Sequence, residues 1–295
     1  MRQFVMTTPG RIEQRDVPVP EIGADVKQVE VGRKATFMPQ VVCGNCLPCI
    51  QGRYHICDSL KVMGFQTTGA ASDYFAVPTD RIVLLPRGID FDQGAMVEPL
   101  AVAVHALGRL GDVAGRKVLV LGAGPIGNLV AQAAKGLGAT SVMITDLSPY
   151  RLEIAGRCGV EHCLDSSGKD VPAEVALRFG KYRADAILEC VGVEATMDQA
   201  IRSARKGTDI IVVGVFGDRA KLDLGLVQDR ELRLIGTLMY REEDYRGALD
   251  LMEKGKVTLS PLITRHFPAD DYLKAYEYID KTKDRSMKIM MDFKD

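Results

Sequence analysis

The sequence predicts an α/β protein in which a doubly wound parallel sheet follows a smaller, strand-rich lobe. Beyond Gly115, apolar runs typical of buried strands alternate with helical segments, which is the pattern of parallel strands joined by crossover helices. Residues 1–40 instead alternate apolar and polar positions between Pro and Gly interruptions, as short antiparallel strands of a barrel do. A chain of 295 residues is long enough for two such units.

The composition narrows the classes of partner. Apolar residues make up 46% and charged residues 26% of the chain, the proportions of an ordinary globular protein. The 38 basic and 39 acidic side chains leave a net charge of -1, which argues against nucleic acid and anionic membranes and favours a small-molecule substrate. No apolar run approaches the ~20 residues of a spanning helix, and the first residues lack the apolar core of a signal peptide. We therefore expect a cytoplasmic protein.

The elements of the predicted sheet follow one another in a regular order. A helical pattern begins near Phe91 and runs through MVEPLAVAVHALGRL. The strand-like runs that follow are KVLVLGAG, SVMITD, ADAILECVG and DIIVVGVF, and helical segments such as NLVAQAAKGLG separate them. Two later helical segments, YRGALDLMEKG and ADDYLKAYEYID, precede a closing strand, KIMMDF.

A glycine-rich run lies between the first apolar strand of this sheet and the helical segment after it, and it reads Gly122-Ala-Gly124-Pro125-Ile126-Gly127. A GxGxxG run in this context predicts a Rossmann-type loop that binds a dinucleotide. Gly122 would make the tight turn, Gly124 would let the pyrophosphate approach the backbone, and Gly127 would let helix and strand pack closely. The phosphates would bind at the helix N-terminus. The alternative is that the glycines only shape a turn.

An acidic residue ends the next strand, SVMIT, where Asp146 stands nineteen positions after Gly127. A carboxylate at this place accepts hydrogen bonds from both ribose hydroxyls and repels a 2′-phosphate, which predicts NAD in preference to NADP. Arg151, five residues later, is interpreted as covering the adenine face. The alternative is that Asp146 only caps the next helix.

The runs ADAILEC and DIIVV are interpreted as the third and fourth strands, whose ends lie at the carboxyl edge where ligands of open sheets bind. Cys190, on the first of these runs, is better explained as a small core residue. Contacts on the nicotinamide side are expected from Val191, Gly192, Val213, Gly214 and Val215.

Four of the seven cysteines stand close together, at Cys43, Cys46, Cys49 and Cys57. Thiolates at the spacing C-x2-C-x2-C-x7-C can close a tetrahedron around zinc and leave no position for water or substrate, so a structural site is predicted. An iron–sulfur cluster is the less favoured alternative, because the fourth cysteine lies too far along the chain and no proline follows it. His55, inside the loop, is expected at the surface rather than among the ligands.

Together these motifs resemble those of the zinc-containing medium-chain dehydrogenases, in particular the sorbitol (polyol) dehydrogenase branch. The resemblance rests on the cysteine lobe, GFQTTGAASDYFAVP, VEPLAV, the GAGPIG loop with Asp146, and the ending SPLITRHFPADDYLKAYEYI. It implies a Rossmann NAD-binding domain at 100–239 and a GroES-like β-barrel catalytic domain, apparently truncated, at 1–99 and 240–295. It also implies a homo-oligomer, either a tetramer or a dimer, and a second, catalytic zinc.

The segment that supplies the catalytic zinc ligands in that family has no counterpart in this sequence. Val26 is followed directly by Lys27, where relatives carry about fifty further residues, including a Cys-bearing segment and a His-Glu segment. Either the chain lacks this block, or the sequence omits residues that the protein possesses; the intact motifs on both sides favour the second explanation. A Cα separation of ~3.8 Å between Val26 and Lys27 would decide for the first.

Two residues of the family's catalytic neighbourhood remain. Glu98, in VEPLAV, matches a glutamate that lies close to zinc and substrate in relatives, directly or through water, so the resemblance implies a role either beside the zinc ligands or in contact with the substrate. The alternative is a carboxylate in the first turn of a helix, stabilised by the helix dipole. Tyr240 matches a residue of the substrate site, whereas Met239 stands where polyol dehydrogenases often carry an arginine.

The predicted function is NAD-dependent oxidation of a secondary alcohol of a polyol, sugar acid or similar small substrate to a ketone, with zinc holding the alkoxide. Three alternatives remain: a catalytically silent NAD-binding protein without the catalytic zinc, a threonine 3-dehydrogenase-like enzyme, and a zinc-independent quinone reductase. Asp146 and the cysteine lobe disfavour the quinone reductase.

Overall fold

The structure, a computed structural model, describes residues 1–23, 26 and 29–293. The chain divides into two compact units, a first unit of Met1–Met96 with Ile263–Asp295 and a second unit of Val97–Leu262. The bond from Val26 to Lys27, which would decide whether a block is missing, lies outside the described residues. In the described part, no helix combines the length and the apolar character that crossing a bilayer requires.

The first unit begins with short strands that pair two by two. In chain order its elements are β1 (Arg2–Thr8), β2 (Arg11–Asp16), β3 (Ala35–Phe37), β4 (Gln40–Val41), α1 (Leu47–Ile50), β5 (Lys61–Val62) and β6 (Ile82–Leu84). β1 pairs with β2, β3 with β6 and β4 with β5, all antiparallel, as predicted. Across the residues described, these pairs are separate two-stranded sheets and do not close into a complete barrel.

The second unit is the predicted doubly wound sheet. Its elements are α2 (Phe91–Gly108), which starts in the first unit, β7 (Lys117–Leu121), α3 (Pro125–Gly136), β8 (Ser141–Asp146), α4 (Pro149–Arg157), β9 (His162–Asp165), α5 (Val171–Phe179), β10 (Ala184–Glu189), α6 (Glu194–Ser203), β11 (Ala204–Val212), α7 (Leu224–Asp229), β12 (Arg233–Gly236) and α8 (Glu242–Glu253). The strands run parallel in the order β12-β11-β10-β7-β8-β9. The order reverses direction between β7 and β10, which is the switch point where ligands of such sheets bind.

Two strands of this sheet were not predicted from the sequence. β9 and β12 are only four residues long, occupy the two edges and lack a continuous apolar run. β10 is therefore the fourth strand and β11 the fifth, and the prediction of third and fourth was wrong. The central strands were recognised because both of their faces are buried: Leu119, Leu121 and Ile187 are fully enclosed in the main apolar core.

The end of the chain completes the first unit with β13 (Ile263–Pro268), α9 (Tyr272–Thr282) and β14 (Lys288–Asp292). The two strands run parallel, and the helix crosses between them. The ring of Tyr272 stacks on Phe4 of β1 with 5.6 Å between centroids. Residues from both ends of the sequence therefore share one core.

A histidine links two acidic residues in this unit. His266 contacts Asp92 through Nε2 at 3.3 Å and Asp292 through Nδ1 at 3.1 Å. The hydrogen bond to Asp292, together with the charges of both aspartates, raises the pKa of His266 above its usual value. The pKa of His266 is therefore higher in the folded than in the unfolded protein. Protonated His266 stabilises the fold fully below its unfolded pKa of about 6.5, and this stabilisation is lost as the pH rises through its folded pKa.

We therefore expect His266→Gln to lower the melting temperature in mildly acidic buffer and to have little effect in alkaline buffer. The effect should stay well below ~1 kcal/mol, because the side chain is 42% exposed and solvent screens the pairs. Thermal melts of both proteins at the two pH values test this. A destabilisation that appears only in alkaline buffer would contradict the assigned sign.

Candidate cofactor and metal sites

The glycine loop joins β7 to α3 with a geometry that requires glycine at two positions. Gly122 has a φ of +99°, and a Cβ there would lie 2.6 Å from Val191 Cγ2. A Cβ on Gly127 would lie 1.9 Å from the carbonyl oxygen of Gly122. At Gly124 a Cβ would meet only the Arg151 guanidinium, at 4.0 Å. The loop therefore turns sharply and packs tightly against α3, and its middle is open to a ligand.

The start of α3 has the features of an anion site. Pro125 is its first residue, and Gly124 precedes it in extended backbone without any side-chain cap. The amide groups of Ile126 and Gly127 have no partner inside the helix, because the first turn of an α-helix leaves its N–H groups unpaired. These groups and the helix dipole favour a phosphate at this point.

Gly127→Ala should disrupt the loop strongly. The added methyl group would occupy the place of the Gly122 carbonyl oxygen, so β7 and α3 would have to separate. We expect a loss of roughly 3 kcal/mol or more in the free energy of unfolding, measured by urea titration. Gly156→Ala in α4 is the matched control, because a Cβ there meets nothing within 4 Å, and it should be neutral or slightly stabilising. Equal effects of the two changes would refute the packing argument.

Asp146, the last residue of β8, points back to the glycine loop. Its Oδ2 accepts the Ala123 N–H at 2.7 Å, and its Oδ1 accepts the Ser148 N–H at 2.9 Å. The Arg151 guanidinium lies 4.0 Å from Oδ2 and also borders Gly124. The cap of α4 is Ser148, whose hydroxyl accepts the Arg151 N–H, so the alternative that Asp146 itself caps this helix is wrong.

The segments after β10 and β11 touch each other and the glycine loop. A Cβ on Gly192 would lie 2.4 Å from the carbonyl oxygen of Val215, and one on Gly214 would lie 2.2 Å from the Gly192 nitrogen. Val213 donates its N–H to the backbone oxygen of Glu189 at 2.8 Å. The five residues predicted for the nicotinamide side therefore form one continuous backbone surface at the carboxyl edge; they are Val191, Gly192, Val213, Gly214 and Val215.

Glu189 is a residue that the sequence prediction missed. It ends β10, is fully buried, and accepts hydrogen bonds at Oε1 from the segment that follows. The sequence could have indicated it, because an acidic residue directly follows the apolar run AIL. A carboxylate on a buried strand needs hydrogen-bond donors around it. The adjacent Cys190 is only half-buried, so the prediction of a core position was wrong; desolvation followed by the charge of Glu189 raises the pKa of its thiol.

The two residues predicted to contact substrate meet in the second unit. Tyr240 is fully buried, and its ring packs edge-on against Tyr245 with 5.1 Å between centroids. Burial, then the charge of Glu98 and hydrogen bonding to it, raise the pKa of Tyr240 well above its usual value. Tyr240 is therefore a neutral phenol beside the half-buried Glu98 carboxylate. Because α2 begins at Phe91, Glu98 lies in the middle of the helix, and the first-turn alternative is wrong.

The packing of α2 against α8 holds this pair in place. His105 Nδ1 lies 2.8 Å from Asp244 Oδ2 in a buried contact, and the same oxygen accepts the Arg241 N–H at 2.7 Å. Met239 has a φ of +52°, which is unusual for a residue with a side chain and turns the chain into this contact. Tyr240 is therefore positioned by a strained residue before it and by the buried contact between His105 and Asp244 after it.

The four clustered cysteines of the first unit form one compact group. Their ligand atoms all lie within 4.8 Å of one another, and Cys57 Sγ is 3.5 Å from Cys43 Sγ and 3.8 Å from Cys46 Sγ. A zinc tetrahedron with Zn–S bonds of about 2.3 Å has edges of roughly 3.8 Å. The donor set of Cys43, Cys46, Cys49 and Cys57 therefore fits zinc, and its four thiolates leave no open position.

The local backbone already stabilises negative sulfur in this group. The Cys43 and Ser59 amides donate to Cys57 Sγ at 3.3 and 3.4 Å. Backbone N–H groups of Asn45 and Cys46 lower the pKa of Cys43 to about 6. His55 is buried, only 6% exposed, because the turn Tyr54–Ile56 carries it inward, so the prediction of a surface position was wrong.

A second metal site cannot be assembled in the same way. The cysteine cluster is the one group of three or more potential ligands in the described part of the chain. Glu98 contacts two tyrosines there and has no histidine or cysteine ligand grouped with it. The described residues therefore do not fit the catalytic zinc that the family resemblance implies.

A parallel sheet with a glycine loop after its first strand and an acidic residue at the end of its second is typical of dinucleotide-dependent oxidoreductases. A lobe with four clustered cysteines is typical of those dehydrogenases that also bind a structural zinc. Comparisons with known proteins agree. Residues 125–254 match the family described as "Zinc-binding dehydrogenase", and residues 18–87 match "Alcohol dehydrogenase GroES-like domain". The chain belongs to the zinc-containing medium-chain dehydrogenase family, in its polyol dehydrogenase-like branch.

Several relatives cover most of the chain. Sorbitol dehydrogenase 1 of Saccharomyces cerevisiae is 34% identical over 88% of this chain and 75% of its own length. The 2-dehydro-3-deoxy-L-galactonate 5-dehydrogenase of Pseudoalteromonas atlantica is 35% identical over 89% of this chain and 76% of its own. The crystal structure of 2R,3R-butanediol dehydrogenase from Bacillus subtilis superposes with a TM-score of 0.85 at 29% identity, covering 93% of this chain and 78% of that one. The predicted fold class, a Rossmann sheet with a GroES-like domain, is confirmed.

Proposed function

We propose that this protein is an NAD-dependent dehydrogenase that oxidises a secondary alcohol of a polyol, sugar acid or similar small molecule to a ketone. Family membership supports the reaction class, and the names of the relatives, which refer to sorbitol, a sugar acid and a diol, support the substrate class.

The single observation that carries the cofactor assignment is the orientation of Asp146. Its carboxylate lies against the Ala123 amide of the glycine loop, where it can accept the ribose hydroxyls and repel a 2′-phosphate. We propose that residues 100–239 are the NAD-binding domain and that 1–99 with 240–295 form the catalytic domain. The residues proposed to hold the cofactor are Gly122, Gly124, Pro125, Ile126, Gly127, Asp146, Arg151, Val191, Gly192, Val213, Gly214 and Val215.

The proton of the alcohol is assigned to Glu98. When bound, NAD supplies the hydride acceptor, the C4 carbon of its nicotinamide. The charge of Glu98 acts on both buried phenols, Tyr240 and Tyr245, and the half-buried Glu98 carboxylate keeps a partly exposed face on which it can accept the hydroxyl proton. The Tyr240 phenol lies beside the same carboxylate, whose charge raises the pKa of that phenol. No step is assigned to a second zinc, since the described residues do not provide its ligands.

The experiment is NADH production from a panel of polyols, sugar acids and L-threonine, with the zinc content measured on the same samples. We expect turnover on at least one secondary alcohol, and a loss of roughly 100-fold in kcat for Glu98→Gln with unchanged NAD affinity. Glu243→Gln, on the exposed side of α8, is the matched control and should retain full activity. Absence of turnover on the whole panel would refute the enzyme assignment.

A catalytically silent NAD-binding protein is the second candidate. The observation that favours it is the lack of a second ligand group in the residues that the structure covers. This candidate predicts one zinc per chain, NAD binding and no turnover on any substrate of the panel. Two zinc ions per chain would exclude it.

A homo-oligomer, as either a dimer or a tetramer, is part of the proposal. β12 is an edge strand whose only partner in the described chain is β11, so its outer backbone groups remain open to a second copy. Sedimentation velocity measures the assembly, and a monomer at micromolar concentration would refute it.

A cytoplasmic location is also proposed. All seven cysteines of the described chain are free, which suits a reducing compartment.

A further inference from the structure

The carboxylate of Glu189 lies beneath the backbone surface at the carboxyl edge of the sheet. Its Oε1 accepts three hydrogen bonds, from the N–H groups of Val191 and Gly192, both at 2.9 Å, and from the Thr196 hydroxyl at 2.7 Å. The residue is fully buried. Three donors on one oxygen hold the carboxylate in a single position and suit a negatively charged acceptor.

The same side chain also lies under the neighbouring segment. A Cβ on Gly214 would lie 2.7 Å from Glu189 Oε2, and the Val213 and Gly214 amides donate to the backbone oxygen of Glu189 at 2.8 and 2.9 Å. Segments 190–192 and 213–215 therefore rest on this one residue. Because β10 borders the switch point of the sheet, a dinucleotide bound at the glycine loop would extend its second half over these segments.

The second carboxylate oxygen has no structural task. Oε2 is buried and has no hydrogen-bond partner among the described residues. A glutamine could accept the same three hydrogen bonds through its single side-chain oxygen. An ionised carboxylate costs more free energy to bury than an amide does, and Oε2 forms no hydrogen bond that would offset this cost. The buried Oε2 without a hydrogen-bond partner therefore indicates a role for the negative charge of the Glu189 carboxylate.

We propose that the buried charge of Glu189 favours oxidised NAD over NADH at this site. The nicotinamide ring carries a positive charge in NAD⁺ and none in NADH, so a fixed negative charge beneath it stabilises the oxidised form selectively. Glu189 is thus a positioning residue for both segments and sets the relative affinity for the two redox states. The inference rests on the proposed binding of NAD by this unit.

The test measures dissociation constants of NAD⁺, NADH and ADP-ribose for the full chain and for Glu189→Gln. We expect the variant to shift the ratio of NAD⁺ to NADH affinity roughly tenfold toward NADH, while ADP-ribose affinity stays unchanged. Asp185→Asn is the matched control: it removes a carboxylate from the same strand at the opposite edge, where Asp185 accepts the Lys117 N–H at 2.9 Å. This control should leave the ratio unchanged.

Thr196→Val separates charge from geometry, because it removes one donor to Oε1 and keeps the carboxylate. It should weaken NAD⁺ and NADH binding equally. A Glu189→Gln variant that binds both forms more weakly by the same factor would overturn the proposal and leave a structural role. If that variant does not fold, the wild-type protein decides: binding NADH more than about tenfold more tightly than NAD⁺ would overturn the proposal. A wild-type protein that binds neither form would instead refute the proposed function.

Discussion

Asp146→Ser is expected to reverse the cofactor preference. The carboxylate faces the glycine loop with its Oδ2 2.7 Å from the Ala123 nitrogen, so its removal deletes the acceptor for two ribose hydroxyls. At about 1.5 kcal/mol for each charge-assisted bond, NAD affinity should fall roughly 100-fold. NADP should gain at the same time, because the Arg151 guanidinium, 4.0 Å from the carboxylate, then meets a 2′-phosphate without a competing charge.

Fluorescence titrations with NADH and NADPH measure this change. The control is Asp165→Ser, which removes a carboxylate from the end of the neighbouring strand β9, where Asp165 pairs with Asp146 in the sheet. Its Oδ1 accepts the Ser167 N–H at 2.9 Å, so it stabilises its own turn. If Asp165→Ser shifts the ratio as far as Asp146→Ser does, the selectivity comes from the general charge of this edge and not from one ribose-facing group.

The cofactor loop and the cysteine cluster could be predicted from the sequence because each lies in one short stretch of chain. A glycine at a sharp turn, an acid at a strand end and four cysteines within fifteen residues impose their geometry locally. The central strands were found for a related reason: strands buried on both faces appear as continuous apolar runs. The edge strands β9 and β12 have no such pattern and were missed.

The remaining features depend on contacts between distant parts of the chain. Glu98 and Tyr240 meet only because α8 packs on α2, where a Cβ on Gly247 would lie 3.1 Å from Val104 Cγ1. A family resemblance suggested both residues, but no local pattern could show that they lie side by side. Glu189 in the sequence is a single acid after an apolar run, and only the surrounding amide groups reveal it as a buried acceptor.

Cys57→Ser should have the largest effect on stability in the first unit. Cys57 is the most buried of the four cysteines, and its sulfur contacts those of Cys43 and Cys46 at 3.5 and 3.8 Å. A serine hydroxyl is a poor ligand for zinc at neutral pH, so the site should lose its metal. Structural zinc in small domains contributes about 10–16 kcal/mol of binding free energy; a loss of at least ~5 kcal/mol is expected here.

Metal analysis and thermal melts with and without a chelator check this prediction. The wild-type protein should hold zinc in this site and melt at a lower temperature once it is chelated, whereas Cys57→Ser should melt low under both conditions. The control is Cys163→Ser, an exposed cysteine of β9 outside the cluster, which should change neither zinc content nor melting temperature. If the analysis finds iron and sulfide in place of zinc, the four thiolates bind an iron–sulfur cluster. The spacing of the cysteines is the argument against that alternative. Cys57→Ser protein that retains its zinc and its melting temperature would mean that these sulfurs do not bind the metal.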